Sequence, residues 1–336
     1  MGGSIRLCQE IVSGAPMAEL PALLAEQLGQ VEGSSERRVL GLGVVDERSV
    51  MPLSELAVSV KEHLKESGHG CRFLLPEGRA PRLPSATVGE SRMLSRGGEF
   101  LLSERGQRID VYQTRALQDY RGFSQRDYGR PERDMRRGML PPKLALMMLN
   151  LADPEGGGMV VDPFCGAGGL LAEAVVHGWT AWGGDVDEQA IADARANLTW
   201  LSQARPELAT RWKVRVADAL TLTQILAPLS VRAIATEPYL GPPLSKRFSA
   251  DRAKEEVERL RPLYAAFLGQ ARTVLEPGRR LVLTAPVWIT SQAAVELTLA
   301  REIYLAGFSP APCLPRAALY QRPDQRVARR VHCLVA

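Results

Sequence analysis

Residues 160–169 read Val160-Val161-Asp162-Pro163-Phe164-Cys165-Gly166-Ala167-Gly168-Gly169, and their order decides the fold. An apolar strand runs into a carboxylate, then a glycine turn, and Leu170 to Val176 supplies a helix. The acidic residue precedes the glycines, so the pattern is D-x-x-x-G-x-G and not the G-x-G-x-x-G of a dinucleotide site. A dinucleotide fold aims the helix N-terminus at a pyrophosphate. Asp162 would repel that group, so the turn suits a ligand that is cationic or donates hydrogen bonds.

Working outward, strand and helix patterns alternate from Met159 onward, which predicts an α/β fold with a doubly wound, mostly parallel sheet. Strands are expected at Trp179–Gly184, Trp212–Ala217, Val231–Ala235 and Arg280–Ala285, with two more from Pro315–Tyr320 and Arg326–Val335. Helices are expected over 188–201 and 250–275, and a proline-started helix over 140–151. Ligands of open parallel sheets sit beyond the carboxyl ends of the strands. Four successive strand ends here carry an acid: Asp162, Asp185, Asp218 and Glu237. Helix capping explains one such residue readily, and Asp187 is read that way. Four in register point to a ligand.

S-adenosylmethionine fits that register, because it has an ammonium, a sulfonium and no phosphate. Asp162 and Gly166 would frame its methionine part, with Phe164 and Cys165 in the same turn and Gly168 permitting close backbone approach. Asp185 would accept from the ribose hydroxyls and Asp218 from the adenine amino group, with Val186 and Ala219 sandwiching the ring. At the fourth strand end stands Thr236-Glu237-Pro238-Tyr239-Leu240-Gly241. Amino-group methyltransferases carry D/N-P-P-Y/F at this place, where the acid or amide accepts from the target NH2 and the aromatic ring stacks on the base. Here Glu replaces Asp, one proline is missing and the aromatic comes one position early. Glu237, Pro238 and Tyr239 are the candidate catalytic residues. Cys165 is read as a small turn residue and not a nucleophile, since no histidine is placed beside it.

The chain has 336 residues, which makes two domains the natural expectation. Residues 1–118 read as a small α+β domain, 119–138 as a basic linker and 139–336 as the catalytic domain. In the first, 1–38 read as weakly helical around Met17–Leu28, and a hairpin is expected around Arg105-Gly106-Gln107. No apolar run reaches the ~18 residues of a membrane span, and the N-terminus lacks a signal pattern. Five scattered cysteines without C-x-x-C predict reduced thiols and a cytoplasmic protein. Four histidines without ligand spacing predict no metal. Between Arg121 and Lys143 stand seven basic and three acidic side chains, a surplus equal to the formal charge of the entire chain, +4. Arg126, Arg130, Arg133, Arg136 and Arg137 are therefore candidate RNA-phosphate contacts, with Tyr120, Phe123 and Tyr128 interleaved for base stacking.

Taken together, Asp162–Gly169 (DPFCGAGG), Gly184–Asp187 (GDVD), Asp218, Thr236–Gly241 (TEPYLG), Gly138–Leu151 (GMLPPKLALMMLNL) and Arg126–Pro131 (RDYGRP) resemble the tRNA guanosine N2-methyltransferases that carry an N-terminal THUMP domain. The resemblance covers about 120–336. It implies a seven-stranded class I, Rossmann-like methyltransferase fold, S-adenosylmethionine as cofactor, tRNA as substrate and an exocyclic guanine amino group as acceptor. It also implies a reduced THUMP-like first domain; whether an accessory protein subunit completes RNA binding is left open by the sequence. Composition and spacing alone reach a nucleic-acid methyltransferase. They leave open a DNA or ribosomal-RNA amino methyltransferase and a catalytically silent RNA-binding protein on the same fold.

Overall fold

The computed structural model describes residues 4–31, 37–133, 139–242, 248–313, 318–322 and 325–336. The chain divides into two compact units between Arg121 and Gly122.

The first unit runs β1 (Arg6–Pro16), α1 (Leu20–Gly29), β2 (Arg38–Val44), α2 (Leu53–Glu66), β3 (Cys71–Leu74), α3 (Ser85–Glu90), α4 (Met93–Arg96), β4 (Gly97–Arg105) and β5 (Arg108–Leu117). Its five-stranded sheet has the order β1-β5-β4-β2-β3. The expected hairpin is the antiparallel β4–β5 pair, while β2 lies parallel to both β3 and β4. Side chains alternate across the pleat. Leu40, Leu42 and Val44 therefore join α1 and α2 in one core, and Val39 meets Val88 and Met93 on the other face. Gly41 is required there, because a Cβ would lie 2.4 Å from Met93 Sδ. The strand β1 corrects the helical expectation for the N-terminus. It is an edge strand of mostly half-buried and exposed residues, so its alternation is weak. Tertiary contacts hold it: Arg6 pairs with the fully buried Glu99, which also accepts from Thr114 Oγ1 at 2.6 Å.

The division into units falls inside α5 (Tyr120–Tyr128). Then follow α6 (Pro142–Ala152), β6 (Met159–Asp162), α7 (Gly169–Val176), β7 (Thr180–Asp185), α8 (Glu188–Ala204), β8 (Trp212–Val216) and β9 (Val231–Thr236). The remainder is α9 (Ala250–Val274), β10 (Leu275–Ile289), β11 (Ala294–Glu296), α10 (Ala300–Leu305), β12 (Ser309–Pro310), β13 (Leu319–Tyr320) and β14 (Val327–Val335). Seven strands form the path β12-β14-β10-β9-β6-β7-β8, with β11 and β13 pairing at its side. The strands β6 to β10 are parallel, and β14 is antiparallel to β10. This is the expected doubly wound sheet, with one correction. The end position of the path is filled by Ser309–Pro310, and among the described residues of the 315–320 segment Leu319–Tyr320 pair with β14.

Both faces of this sheet are buried. Val160 packs with α6, α7 and α8 on one side, and Val161 packs with α9 on the other. The order reverses at β6, whose neighbours are β7 and β9. A cleft opens at such a reversal, because the flanking connections leave to opposite faces.

Within the expected linker 119–138, Tyr120–Tyr128 form α5. Arg126 of α5 is buried and makes a bidentate ion pair with Glu173 of α7, at 2.5 and 3.0 Å, while stacking over Phe123. This corrects two expectations. Arg126 is turned away from any RNA phosphate, and Phe123 belongs to the core. Among the described residues no helix is long and apolar enough to cross a membrane.

Candidate active site

The carboxyl ends of β6, β7, β8 and β9 border one cavity of about 730 Å³, within the range of small-molecule sites. Asp162, Phe164, Cys165, Gly166, Asp185, Val186, Asp218, Ala219, Glu237, Pro238 and Tyr239 all line it. Gly168 is not among the described lining residues. Its left-handed φ of +79° starts α7, and a Cβ there would stand 3.2 Å from Ala194 Cβ. The glycine thus allows close packing of the turn on α8.

Asp162 is buried at the end of β6. Its Oδ1 accepts from Thr236 Oγ1 at 2.6 Å and from the Phe164 amide at 3.2 Å. Burial pushes its carboxyl up to about 7, and the neighbouring Asp185 and Glu237 charges act in the same direction, against the two hydrogen bonds. Such a carboxylate favours a cation beside it. Asp185 organises the turn around it. One of its oxygens accepts from the Gly166 amide and the other from the Asp187 amide, both at 3.0 Å. Each oxygen retains a second lone pair for a ligand. Gly166 has a φ of +49° and open space where a Cβ would be.

Asp187 caps α8, accepting from the Gln189 and Ala190 amides, as its position after a strand predicts. Asp218 caps a short 3-10 turn through the Leu220 amide at 2.8 Å while remaining exposed at the cavity. Val186 presents an apolar, two-thirds exposed side chain at the rim, and Ala219 is buried. Cys165 is buried against Gly183, and burial pushes its thiol up, away from the reactive thiolate.

The β9 end differs from the sequence reading in one respect. Glu237 is held by a bidentate ion pair with Arg329 of β14, at 2.5 and 3.1 Å, and also accepts from Thr284 Oγ1. Arg329 is buried, and nothing in its sequence neighbourhood marks it. Antiparallel pairing of β14 with β10 brings it there, 92 residues from its partner. Pro238 is buried, and Tyr239 is half exposed with the Arg259 guanidinium over its ring. The buried Tyr264 hydroxyl lies 3.3 Å from both the Tyr239 and Thr284 carbonyls and ties this turn to α9 and β10.

Asn197 is the second residue that the sequence does not announce. Its buried amide group accepts from the Glu132 amide and donates to the Glu132 and Ala167 carbonyls at 2.9–3.0 Å. It thereby fastens the 130–132 segment to the glycine turn. Arg130 lines the cavity as a result. Of the remaining basic candidates, Arg133 is exposed and stacks over Tyr128, while Arg136 and Arg137 lie outside the described residues. Tyr120 falls in the first unit. Among the described residues no group of acid, histidine or cysteine side chains would hold a metal ion.

A reversed parallel sheet with acids at its switch point, a glycine turn without a phosphate cradle and an aromatic turn beside it define a Rossmann-like methyltransferase domain. The chain belongs to the UPF0020 family, the RMKL-like methyltransferase domain, whose profile matches residues 130–304, just over half of the chain. It is 32% identical over 159 residues to a tRNA (guanine(10)-N2)-dimethyltransferase of Methanothermobacter thermautotrophicus, covering 47% of this chain and 42% of that protein. A tRNA (guanine(6)-N2)-methyltransferase of Thermus thermophilus is 33% identical over 155 residues, 44% of this chain and 39% of the relative. The chain thus spans about two fifths of the length of the curated relatives it matches. Among solved structures, TrmN from Thermus thermophilus gives a TM-score of 0.52 at 21% identity over 99% of this chain and 83% of that one. A possible methylase from Clostridium difficile gives 0.50 at 13% identity, over 98% and 83%. These two establish the fold.

The cavity fits the S-adenosylmethionine that such a domain uses. Its volume suffices, a buried carboxylate without a basic partner among the described residues faces it, and Asp185 and Asp218 retain acceptor capacity at the β7 and β8 ends.

Proposed function

We propose that the chain transfers a methyl group from S-adenosylmethionine to the exocyclic N2 of a guanosine in tRNA. The observation that carries this reading is the convergence of Asp162, Asp185 and Asp218 with Glu237-Pro238-Tyr239 on one cavity. The names of the relatives supply the substrate class and the target atom. Asp162 would attract the ammonium, and Asp185 would hold the ribose hydroxyls. Asp218 would accept from the adenine amino group, between Val186 and Ala219. The cofactor, when bound, supplies a sulfonium-activated methyl.

Tyr239 would stack on a guanine swung out of its RNA stack. The backbone of the Glu237-Pro238 turn and the free lone pairs of Glu237 would accept from the N2 amino group, keeping electron density on nitrogen. Arg329 holds the Glu237 carboxylate in one orientation, so Glu237 acts as an orienting acceptor and not as a proton-withdrawing base. Catalysis then rests on proximity and in-line alignment. The exposed Arg133 over Tyr128 is the best-placed described residue for an RNA phosphate.

The test is methyl transfer from labelled S-adenosylmethionine to unmodified tRNA, followed by nucleoside mass spectrometry. N2-methylguanosine is the expected product. Label in another nucleoside, or none from a chain that binds the cofactor, overturns the assignment.

A further inference from the structure

We infer that Arg130 binds the carboxylate of the methionyl end of S-adenosylmethionine; the inference rests on the cofactor reading above. The cavity is otherwise acidic: Asp162, Asp185, Asp187, Asp193, Asp218 and Glu237 line it, and Arg130 is the one basic side chain among the described lining residues. The ligand carries one anionic group. Electrostatic complementarity assigns that group to the one cation.

The placement agrees. Arg130 Nη1 stands 3.2 Å from where a Gly169 Cβ would be, so the guanidinium lies over the first residue of α7, at the glycine-turn end of the cavity. The β7 and β8 acids assigned to the nucleoside border the same cavity from their own strand ends. The α7 N-terminus adds a favourable field for an anion at that end.

Arg130 is also incompletely compensated: the Asp127 and Glu173 charges act on it only from a distance. It makes no ion pair among the described residues, its Nε is buried without an acceptor, and its Nη2 rests on the thioether of Met139, a weak acceptor. Burial lowers its pKa, the mark of a charge that solvent does not reach freely. Partial burial of a cation without a paired carboxylate is costly, and a ligand carboxylate would offset that cost by a bidentate contact. Asn197 keeps the cation in place, since its hydrogen bonds to Glu132 and Ala167 fix the segment two residues away.

The experiment is calorimetric titration of the full chain with two probes. One is S-adenosylhomocysteine; the other is its decarboxylated analogue, which keeps the amine, thioether and adenosine. Arg130→Met should weaken S-adenosylhomocysteine binding by roughly 10- to 100-fold, as expected for a lost charge-assisted pair, and change binding of the decarboxylated probe less than about twofold. Arg130→Lys, which keeps the charge but not the fork, should lose roughly 3- to 10-fold for the first probe alone. Equal losses for both probes would show a purely structural role and overturn the inference. Unchanged S-adenosylhomocysteine affinity with weakened tRNA binding would overturn it in favour of an RNA phosphate. A wild-type chain that binds neither probe would overturn the cofactor reading itself, and this inference with it.

Discussion

The carboxyl ends of β6 and β9 are neighbours in the sheet, and their carboxylates are held in opposite ways. Asp162 is buried on hydroxyl and amide donors without a basic partner, and burial pushes it up to about 7. Glu237, at the next strand end, is gripped by the Nε and Nη2 of a buried guanidinium. The first is an acid waiting for a cation, and the second is already neutralised and can only orient. Two carboxylates that look equivalent as strand-end acids are thus separated by what the tertiary structure places beside each.

Breaking the β9 side should have the largest effect. Arg329→Met leaves Glu237 without its counter-charge and is expected to cost about 3–5 kcal/mol of stability, as for other broken buried pairs. Turnover should fall steeply. Adding Glu237→Gln should restore most of the stability but not the turnover. Urea denaturation of the single and double variants decides it, and additive losses would mean that the pair is not coupled.

The β6 side predicts the opposite sign. A carboxyl near 7 in the folded chain and near 3.9 unfolded holds more protons when folded. Stability is therefore full below about pH 4 and is lost as pH rises toward 7, by on the order of 4 kcal/mol. Asp162→Asn should remove that slope, raise the melting temperature of the ligand-free chain at pH 8, and abolish cofactor binding. Wild-type affinity for S-adenosylmethionine should in turn weaken as pH falls below about 7. Flat melting and binding profiles from pH 5 to 8 would refute the assignment.

Two smaller effects sharpen the comparison along the sheet. Asp185→Ala removes the acceptor of the Gly166 and Asp187 amides as well as the proposed ribose contact. It should weaken cofactor binding by roughly 100-fold, within the cost of buried charge-assisted bonds. Asp218→Ala loses a cap and one exposed contact, and roughly 10-fold or less is expected. Calorimetry on the pair ranks them, and a reversed order would displace the nucleoside from the β7 end.

Local chemistry made much of this legible. The run Val160–Gly169 predicts strand, turn and helix because each step has its own signature: apolar alternation, glycine at positive φ, then helical spacing. The carboxyl-end acids follow from the same register, and the observed cavity collects all of them. The sequence misreads β1, whose edge position leaves few buried residues to betray a strand. It misreads 119–128 as linker because charge dominates composition there, although Arg126 spends its charge inside the protein on Glu173.

By itself, then, the sequence determined the layered fold and the identity of the strand-end acids, both of which depend on residues adjacent in the chain. Only the tertiary structure decided which of those acids has a counter-ion. Arg329 reaches Glu237 across 92 positions, and Asn197 reaches Glu132 across 65. A partner's charge and burial are set by strand order and helix packing, and the spacing of residues along the chain carries no record of either.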